Sequence, residues 1–311
     1  MGERNKITKP IDVLAQHPVR RSKKQKQALR DEVVTYVKGL DYPVTVEQGG
    51  RGTANLVIGN PDTAKYLITA HYDTPASIGI PNILTPCNPV IFILWQVLLV
   101  GILLAVSIAA MLAVNTLTGD SSYGLLTWYA VYFGILFLML FGPANKHNAN
   151  DNTSGVVTLL EIAAAWPRDK RESVCFVLFD LEESGMVGSA AYRKTHKSAT
   201  QNQIVLNMDC VGDGNEIMMV PMRKLKKDPE KMDILRGLCG QRGEKTIFLH
   251  EKGFVTYPSD QRNFPYGVGI AAFKRKKSVG LYVDRIHTAR DTILDIENVN
   301  YLRDTLLKLA E

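Results

Sequence analysis

Short apolar runs separated by polar turns make up most of the chain, and one long stretch with a single charge interrupts them. Val174-Cys175-Phe176-Val177-Leu178 is β-branched and aromatic without a polar break, the pattern of a strand buried on both faces. Residues 55–58, 66–70, 204–208, 217–220, 247–249, 270–273 and 279–283 read as further strands, and 42–47 alternates like an edge strand. The turn Asn60-Pro61-Asp62 predicts that 55–58 and 66–70 are neighbours. A helix is expected at 22–40, where Ser22 can cap a run carrying Leu29, Val33, Val34 and Val37. Others are expected at 156–165, capped by Thr153 or Ser154, at 185–192, near 231–240 and at 296–309. At 311 residues the chain has room for one large α/β domain or two smaller ones.

The interruption lies between Asp73 and Lys146, where Asp120 is the sole charge. Residues 89–114 are apolar for long enough to cross a hydrocarbon core of about 30 Å as a helix. After Gly119-Asp120-Ser121-Ser122, residues 123–141 form a second apolar run with Trp128, Tyr129 and Tyr132 near one end, where interfacial aromatics belong. A soluble core helix rarely lacks a polar face over so many residues, so a transmembrane hairpin is expected. It divides the chain into residues 1–88, the hairpin at 89–142, and residues 143–311. The connecting loop has no Lys or Arg, whereas bases precede the hairpin and Lys146 follows it, which places both flanks in the cytoplasm. Residues 1–18 lack the apolar core of a secretory signal. Cys87, Cys175, Cys210 and Cys239 show no CxxC spacing, in keeping with a reducing compartment.

The net charge is +6, but Lys and Arg are scattered apart from clusters at 20–26, 223–227 and 274–277. None is interleaved with aromatics in a nucleic-acid motif, so no nucleic-acid partner is expected. Bases near the hairpin suit topology control first and contact with anionic lipid second.

The chemistry gathers where the apolar runs stop. Residues 174–178 lead into Phe179-Asp180-Leu181-Glu182-Glu183-Ser184-Gly185, placing two carboxylates at a strand's carboxyl end, where open α/β sheets hold their sites. Residues 66–70 end in His71-Tyr72-Asp73-Thr74; residues two apart share a face, so Asp73 can hold the imidazole or join it at a site. Asp151 stands just before a helix N-terminus, where the dipole favours its charge. Asp209 ends 204–208, and His287 precedes the closing helix. Singly these are ordinary: a Glu-Glu pair is usually a solvated face and a lone histidine a surface residue. Together His71, Asp151, Glu183, Asp209 and His287 form a donor set suited to zinc or a similar divalent ion. Five ligands exceed what one tetrahedral ion needs; with one carboxylate bridging, they suit two ions about 3.5–4 Å apart. Glu182 is then spare to take a proton from water and pass it to a leaving amine.

In order and number these segments resemble the co-catalytic di-zinc aminopeptidase family, the bacterial leucine-aminopeptidase type whose relatives include glutamate carboxypeptidase and the transferrin receptor ectodomain. The matching pieces are Ala70-His71-Tyr72-Asp73-Thr74, residues 150–155, residues 179–189, Asn207-Met208-Asp209, Ser259-Asp260 followed by Phe264, and His287-Thr288 with Asp291-Thr292. The resemblance runs from about residue 54 to the C-terminus, excluding the hairpin. It implies a three-layer α/β/α zinc-exopeptidase fold with a mixed, mostly parallel sheet, here interrupted by the hairpin. It further implies that Asp151 bridges two zinc ions (cobalt or manganese being alternatives), that His71 and Asp209 hold one, and that Glu183 and His287 hold the other. Glu182 would be the general base and Asp73 would orient His71. The implied activity is removal of N-terminal residues from peptides.

The chain departs from the family pattern in three places. The interval from His71 to Asp151 is long and contains the hairpin. Gln261 stands where relatives often have His, and Ile286 stands where some have Tyr. The oxyanion donor is therefore open among Tyr257, Tyr266 and Tyr282. Two other readings share the fold: a single-zinc glutaminyl-cyclase-like acyltransferase, against which His71 and Asp209 both count, and a receptor-like module that has lost its ligands. The expected partners are peptide substrates and, through residues 89–142, the lipid bilayer, with a preference for apolar peptides; the oligomeric state is left open.

Overall fold

The computed structural model describes residues 7–311; the first six residues of the polar N-terminal segment lie outside those described. The described residues form ten strands, most of them from the apolar runs: β1 (Val44–Gln48), β2 (Ala54–Gly59), β3 (Tyr66–His71), β4 (Val174–Phe179), β5 (Ile204–Met208), β6 (Glu216–Pro221), β7 (Gly240–Arg242), β8 (Lys245–Leu249), β9 (Gly267–Lys276) and β10 (Gly280–Tyr282). They make one sheet in the order β1-β2-β4-β3-β5-β9-β6-β8-β7, with β10 paired to β9. Its centre, β4-β3-β5-β9, is parallel, and antiparallel pairs flank it. The expectation that β2 and β3 are neighbours is corrected. β4 lies between them, pairing antiparallel with β2 and parallel with β3. The Asn60–Asp62 turn therefore spans an intervening strand, which adjacency in sequence does not reveal.

The described residues also contain eight α-helices: α1 (Asp12–Gln16), α2 (Lys23–Gly39), α3 (Pro89–Thr118), α4 (Ser121–Phe141), α5 (Gly155–Ala165), α6 (Val187–Thr195), α7 (Pro229–Gly237) and α8 (Ile296–Leu306). Alternation along β4 separates two cores. Phe176 and Leu178 pack with Leu29 and Val33 of α2, Leu159 and Ile162 of α5, and Leu302 of α8. Cys175, Val177 and Phe179 face Tyr192 of α6 and Phe264 on the other side. Each fully buried large side chain contributes about 1.5–3 kcal/mol relative to exposure, so this double-sided burial explains β4's unbroken apolar run.

Ser22 starts α2 as expected: its side chain accepts from the Gln25 N–H at 3.2 Å, while Gln25 Oε1 accepts from the Ser22 N–H at 2.9 Å. Helix α5 differs. Neither Thr153 nor Ser154 caps it; Asn152 Oδ1 accepts the Gly155 N–H at 3.0 Å, and Ser154 Oγ donates to the Asn150 carbonyl at 2.6 Å. Those hydroxyls are occupied elsewhere because residues 149–154 form an irregular turn in which Asp151 and Asn152 are not helical.

α3 and α4 form an antiparallel pair inserted between β3 and α5. The Asn88 side chain caps the first helix, Asp120 caps the second, and Gly119 at φ 71° makes the left-handed turn between them. Both are long and apolar enough to cross a membrane, and only 11% and 6% of their most apolar windows are buried. Val90, Leu94, Phe133 and Phe137 are among the apolar side chains left exposed. A helix of a soluble core would bury these residues.

Candidate metal centre

Because β4, β3 and β5 are adjacent and parallel, their carboxyl ends emerge side by side. His71 pairs with Phe179, and Thr69 with Asn207, which sets the His71 position level with Asp209 and just before the Glu182-Glu183 turn. The five donors expected from the sequence, and Glu182 with them, meet there. His71 Nε2 lies 3.3 Å from Asp151 Oδ1 and 3.6 Å from Asp209 Oδ1. His287 Nε2 lies 2.9 Å from Asp151 Oδ2 and 3.5 Å from Glu183 Oε2. His71, Asp151 and Asp209 thus form one three-residue donor set and Asp151, Glu183 and His287 another, with donor atoms within 4.8 Å of one another in each. Asp151 turns one oxygen to each set.

Backbone strain concentrates here. Of six non-glycine residues at positive φ among those described, Leu181, Met186, Cys210 and His287 sit in the loops carrying the donors. Such conformations cost about 1–3 kcal/mol each and persist where the surroundings hold them. The Asp180 carboxylate accepts from the N–H groups of Ala54 (3.1 Å) and Leu181 (2.9 Å) and from Lys26 Nζ (2.6 Å). Asp73 was expected to orient His71, and its Oδ1 lies 3.4 Å from His71 Nδ1. Its firmer bonds run to the backbone N–H groups of Glu182 (3.0 Å) and Glu183 (3.2 Å), so Asp73 holds the Glu-Glu turn as well. Gly188, where α6 begins, has no room for a side chain: a Cβ would lie 2.1 Å from the Asp180 carbonyl oxygen.

Asp151 is held just as firmly. The Asp291 carboxylate accepts the N–H groups of Asn150 (2.8 Å) and Asp151 (3.0 Å). Asn152 Nδ2 donates to the Met208 carbonyl at 2.9 Å, and Asn150 Oδ1 accepts from Gly212 N–H at 2.7 Å, tying this turn to the strand end that carries Asp209. Asp291 lies in the His287–Thr292 segment, but nothing in the sequence says that it binds the backbone at Asn150, 141 positions earlier.

Arg20 was missed. The basic cluster at 20–26 reads from sequence as topology control or a lipid contact, but Arg20 is buried, with Nε donating to the Tyr72 carbonyl at 2.6 Å and Nη1 to the His17 carbonyl at 2.7 Å. Burial lowers its pKa to about 10, while the charges of Asp73, Asp151 and Asp291 act the other way. Lys26 is committed to Asp180, and Arg21 Nη2 donates to the Leu140 carbonyl at 2.8 Å. Lys23 and Lys24 are the exposed bases of this cluster. The physical reason for burying Arg20 is the surplus of buried carboxylates, which a guanidinium beneath the site partly balances.

That surplus governs the electrostatics. Burial, together with neighbouring carboxylates, raises the pKa of Glu182 and Glu183. Burial alone would lower His287, but Glu183 and Asp151 outweigh it and raise the imidazole to about 9. His71 rises similarly against its burial through Asp151, Asp209 and Asp73. Asp151 is buried yet held below the usual carboxylate range by the two imidazoles. Glu183 Oε1 and His71 Nδ1 are buried without a hydrogen-bond partner. Buried charge costs several kcal/mol per ion unless compensated. A divalent cation in each set would compensate it, and the His/carboxylate chemistry fits zinc.

Of the three tyrosines left open, Tyr257 lines the cavity over the donors, and its hydroxyl donates to the Asp209 carbonyl at 2.9 Å. Burial raises its pKa well above the ordinary phenol, so it keeps its proton. Tyr266 lies under Lys224 and Lys231, and Tyr282 under Lys274. Gln261 is buried, accepting from Asn207 and donating to the Tyr257 carbonyl at 2.7 Å, so it props this wall.

Residues 134–308, more than half of the chain, match the model of peptidase family M28. The match contains Asp151, Glu182, Glu183, Asp209 and His287; it begins within α4, so His71 and Asp73 precede it. No curated protein matches the chain. Among solved structures, the chain is similar to a glutaminyl cyclase from Porphyromonas gingivalis, with 16% identity, a TM-score of 0.58, and coverage of 99% of this chain and 98% of that one. It is similar to a Zn-dependent exopeptidase from Parabacteroides distasonis (14%, 0.58, 99% and 98%) and to the LapA aminopeptidase of Legionella pneumophila (13%, 0.56, 97% and 67%). At these identities the likeness establishes the α/β/α exopeptidase fold. The family match goes further: the chain belongs to peptidase family M28 and is a zinc-dependent peptidase.

Proposed function

We propose that the protein is a membrane-anchored aminopeptidase working with two divalent ions, and that its substrates are peptides with a free N-terminus. The observation that carries this reading is Asp151, whose two oxygens face opposite imidazoles in two donor sets that share no other residue. His71 and Asp209 would hold one ion, Glu183 and His287 the other, with Asp151 between them. Such a pair, when bound, acidifies water and polarises a carbonyl. The remaining work falls to the chain's own residues. Glu182, its backbone fixed by Asp73, accepts a proton from the attacking water and returns it to the leaving amine. Tyr257, on the wall of the cavity over the donors, would turn its phenol O–H from the Asp209 carbonyl to the oxygen that gains charge. Asp73 and Asp291 position the turns carrying Glu182, Glu183 and Asp151.

In this reading residues 89–142 are a transmembrane insertion in one catalytic domain formed by residues 1–88 and 143–311. At 1.5 Å per residue α4 is about 31 Å long and α3 about 45 Å, enough to span the hydrocarbon core. Lys146 just after the hairpin, Arg21 bonded to the carbonyl end of α4, and a connecting loop without Lys or Arg support a catalytic domain facing the cytoplasm.

The runner-up is a single-ion glutaminyl-cyclase-like acyltransferase, favoured by the fold of the P. gingivalis enzyme; an intact second donor set counts against it. Zinc-loaded protein in lipid nanodiscs is expected to release amino acids from unblocked peptides, to lose this activity on chelation and to regain it with zinc. Cyclisation of N-terminal glutamine without peptide hydrolysis would replace this reading with the runner-up.

A further inference from the structure

The donor cluster stands between two cavities. One, about 350 Å³, is lined by Glu182, Asp209, Tyr257, Leu84 and Met186, among others. The second, about 680 Å³, runs from Glu183 and His287 to the last turn of α4, where Met139, Leu140 and Phe141 face Ile78 and Leu181. Asp73 lies at its inner end, and Arg21 and Lys26 on its polar side.

The α4 wall is fixed in place. Arg21 donates to the Leu140 carbonyl, satisfying the carbonyl end of the helix with a cation, where the dipole favours one. The Ser77 N–H donates to the Pro143 carbonyl at 2.8 Å, the Asn145 N–H to the Pro75 carbonyl at 2.9 Å, and the Ile78 N–H to the His287 carbonyl at 2.7 Å. The segment leaving β3, the segment leaving α4 and the His287 loop are thereby bonded together. The apolar end of a membrane-type helix is held against the donor cluster.

Glu182 lines the first cavity and not the second, so a leaving amine that receives its proton lies in the first. The residue on the other side of the scissile bond then occupies the second. There the carboxylates of Asp73 and Glu183 suit its α-ammonium group, and the apolar side chains beyond suit an apolar side chain. Resting on the aminopeptidase reading above, we infer that the hairpin is part of the specificity site: Met139, with Leu140 and Phe141, forms the wall of a pocket for an apolar N-terminal residue. A helix that spans the bilayer and ends in this wall puts the pocket at the membrane surface, so the substrate class is peptides with apolar N-termini presented there.

The test uses the full chain in nanodiscs, zinc-loaded, with two variants at Met139. In Met139→Cys, alkylation of the introduced thiol by a maleimide, located by mass spectrometry, is slowed about tenfold by leucine hydroxamate and not by glutamate hydroxamate. In Met139→Glu, kcat/KM for leucyl relative to alanyl substrates falls about tenfold or more with metal content unchanged. Equal protection by both hydroxamates, or a leucyl-to-alanyl ratio unmoved by Met139→Glu, overturns the assignment. If the unsubstituted protein cleaves no aminoacyl substrate while leucine hydroxamate still protects the thiol selectively, the aminopeptidase reading fails and the apolar pocket stands.

Discussion

Glu182→Gln in zinc-loaded protein is expected to keep both ions and to lower kcat on every peptide substrate by about 10²–10⁴-fold, the usual worth of general acid–base catalysis. Gln has the same shape and can accept a hydrogen bond, but it cannot take a proton from water near neutral pH. The turn should survive, because its bonds to Asp73 come from the backbone N–H groups of Glu182 and Glu183. The substitution also discriminates between roles. Glu182 joins His71 and Glu183 in a third cluster of potential donors, although that cluster lacks Asp151. If Glu182 were a ligand, the Gln variant would bind less metal; if it moves the proton, metal content stays and turnover goes. Elemental analysis beside steady-state kinetics separates the two.

Asp151→Ala is expected to be more damaging still, because it removes a donor from both sets at once. Metal content should fall below one ion per chain at zinc concentrations that saturate the unsubstituted protein, and hydrolysis should disappear. His71 and His287 also lose the anion that lies 3.3 and 2.9 Å from them. Stability should fall by linkage: a ligand present at 100 times its Kd stabilises the folded state by about 2.7 kcal/mol, and zinc would no longer supply that. Thermal unfolding with and without zinc checks this. The unsubstituted protein should gain stability from zinc, and the Asp151→Ala variant should gain little. His287→Ala is the control, since it touches one donor set and should cost one ion.

Much of the site was legible because its residues stand at the ends of apolar runs. His71 ends a buried strand, Asp209 directly follows another, and Glu182 and Glu183 lie in the turn after a third, and the parallel register brings those strand ends together. The strand order was less legible: nothing in residues 54–71 says that β4, more than a hundred positions later, inserts between β2 and β3. Arg20 was hidden for a related reason. A basic residue in a basic cluster near a membrane segment reads as surface, and only three-dimensional proximity to Asp73, Asp151 and Asp291 makes its burial intelligible. The choice among the tyrosines likewise needed the fold, since Tyr257 reaches the site through a loop with no periodic pattern. The apolar character of the hairpin was plain, whereas the link from its end to the His287 loop, made through the segment leaving β3, was not. That contact depends on Arg21, Pro75 and Ile78, residues without a motif.

The central claim is that Asp151 joins two ion sites. Its most direct test is the zinc content of the purified, zinc-saturated chain after free metal is removed, measured with protein concentration on the same sample. Two ions per chain are expected, falling to one in His287→Ala. A chain that saturates at one ion while hydrolysing peptides at its full rate would contradict that claim.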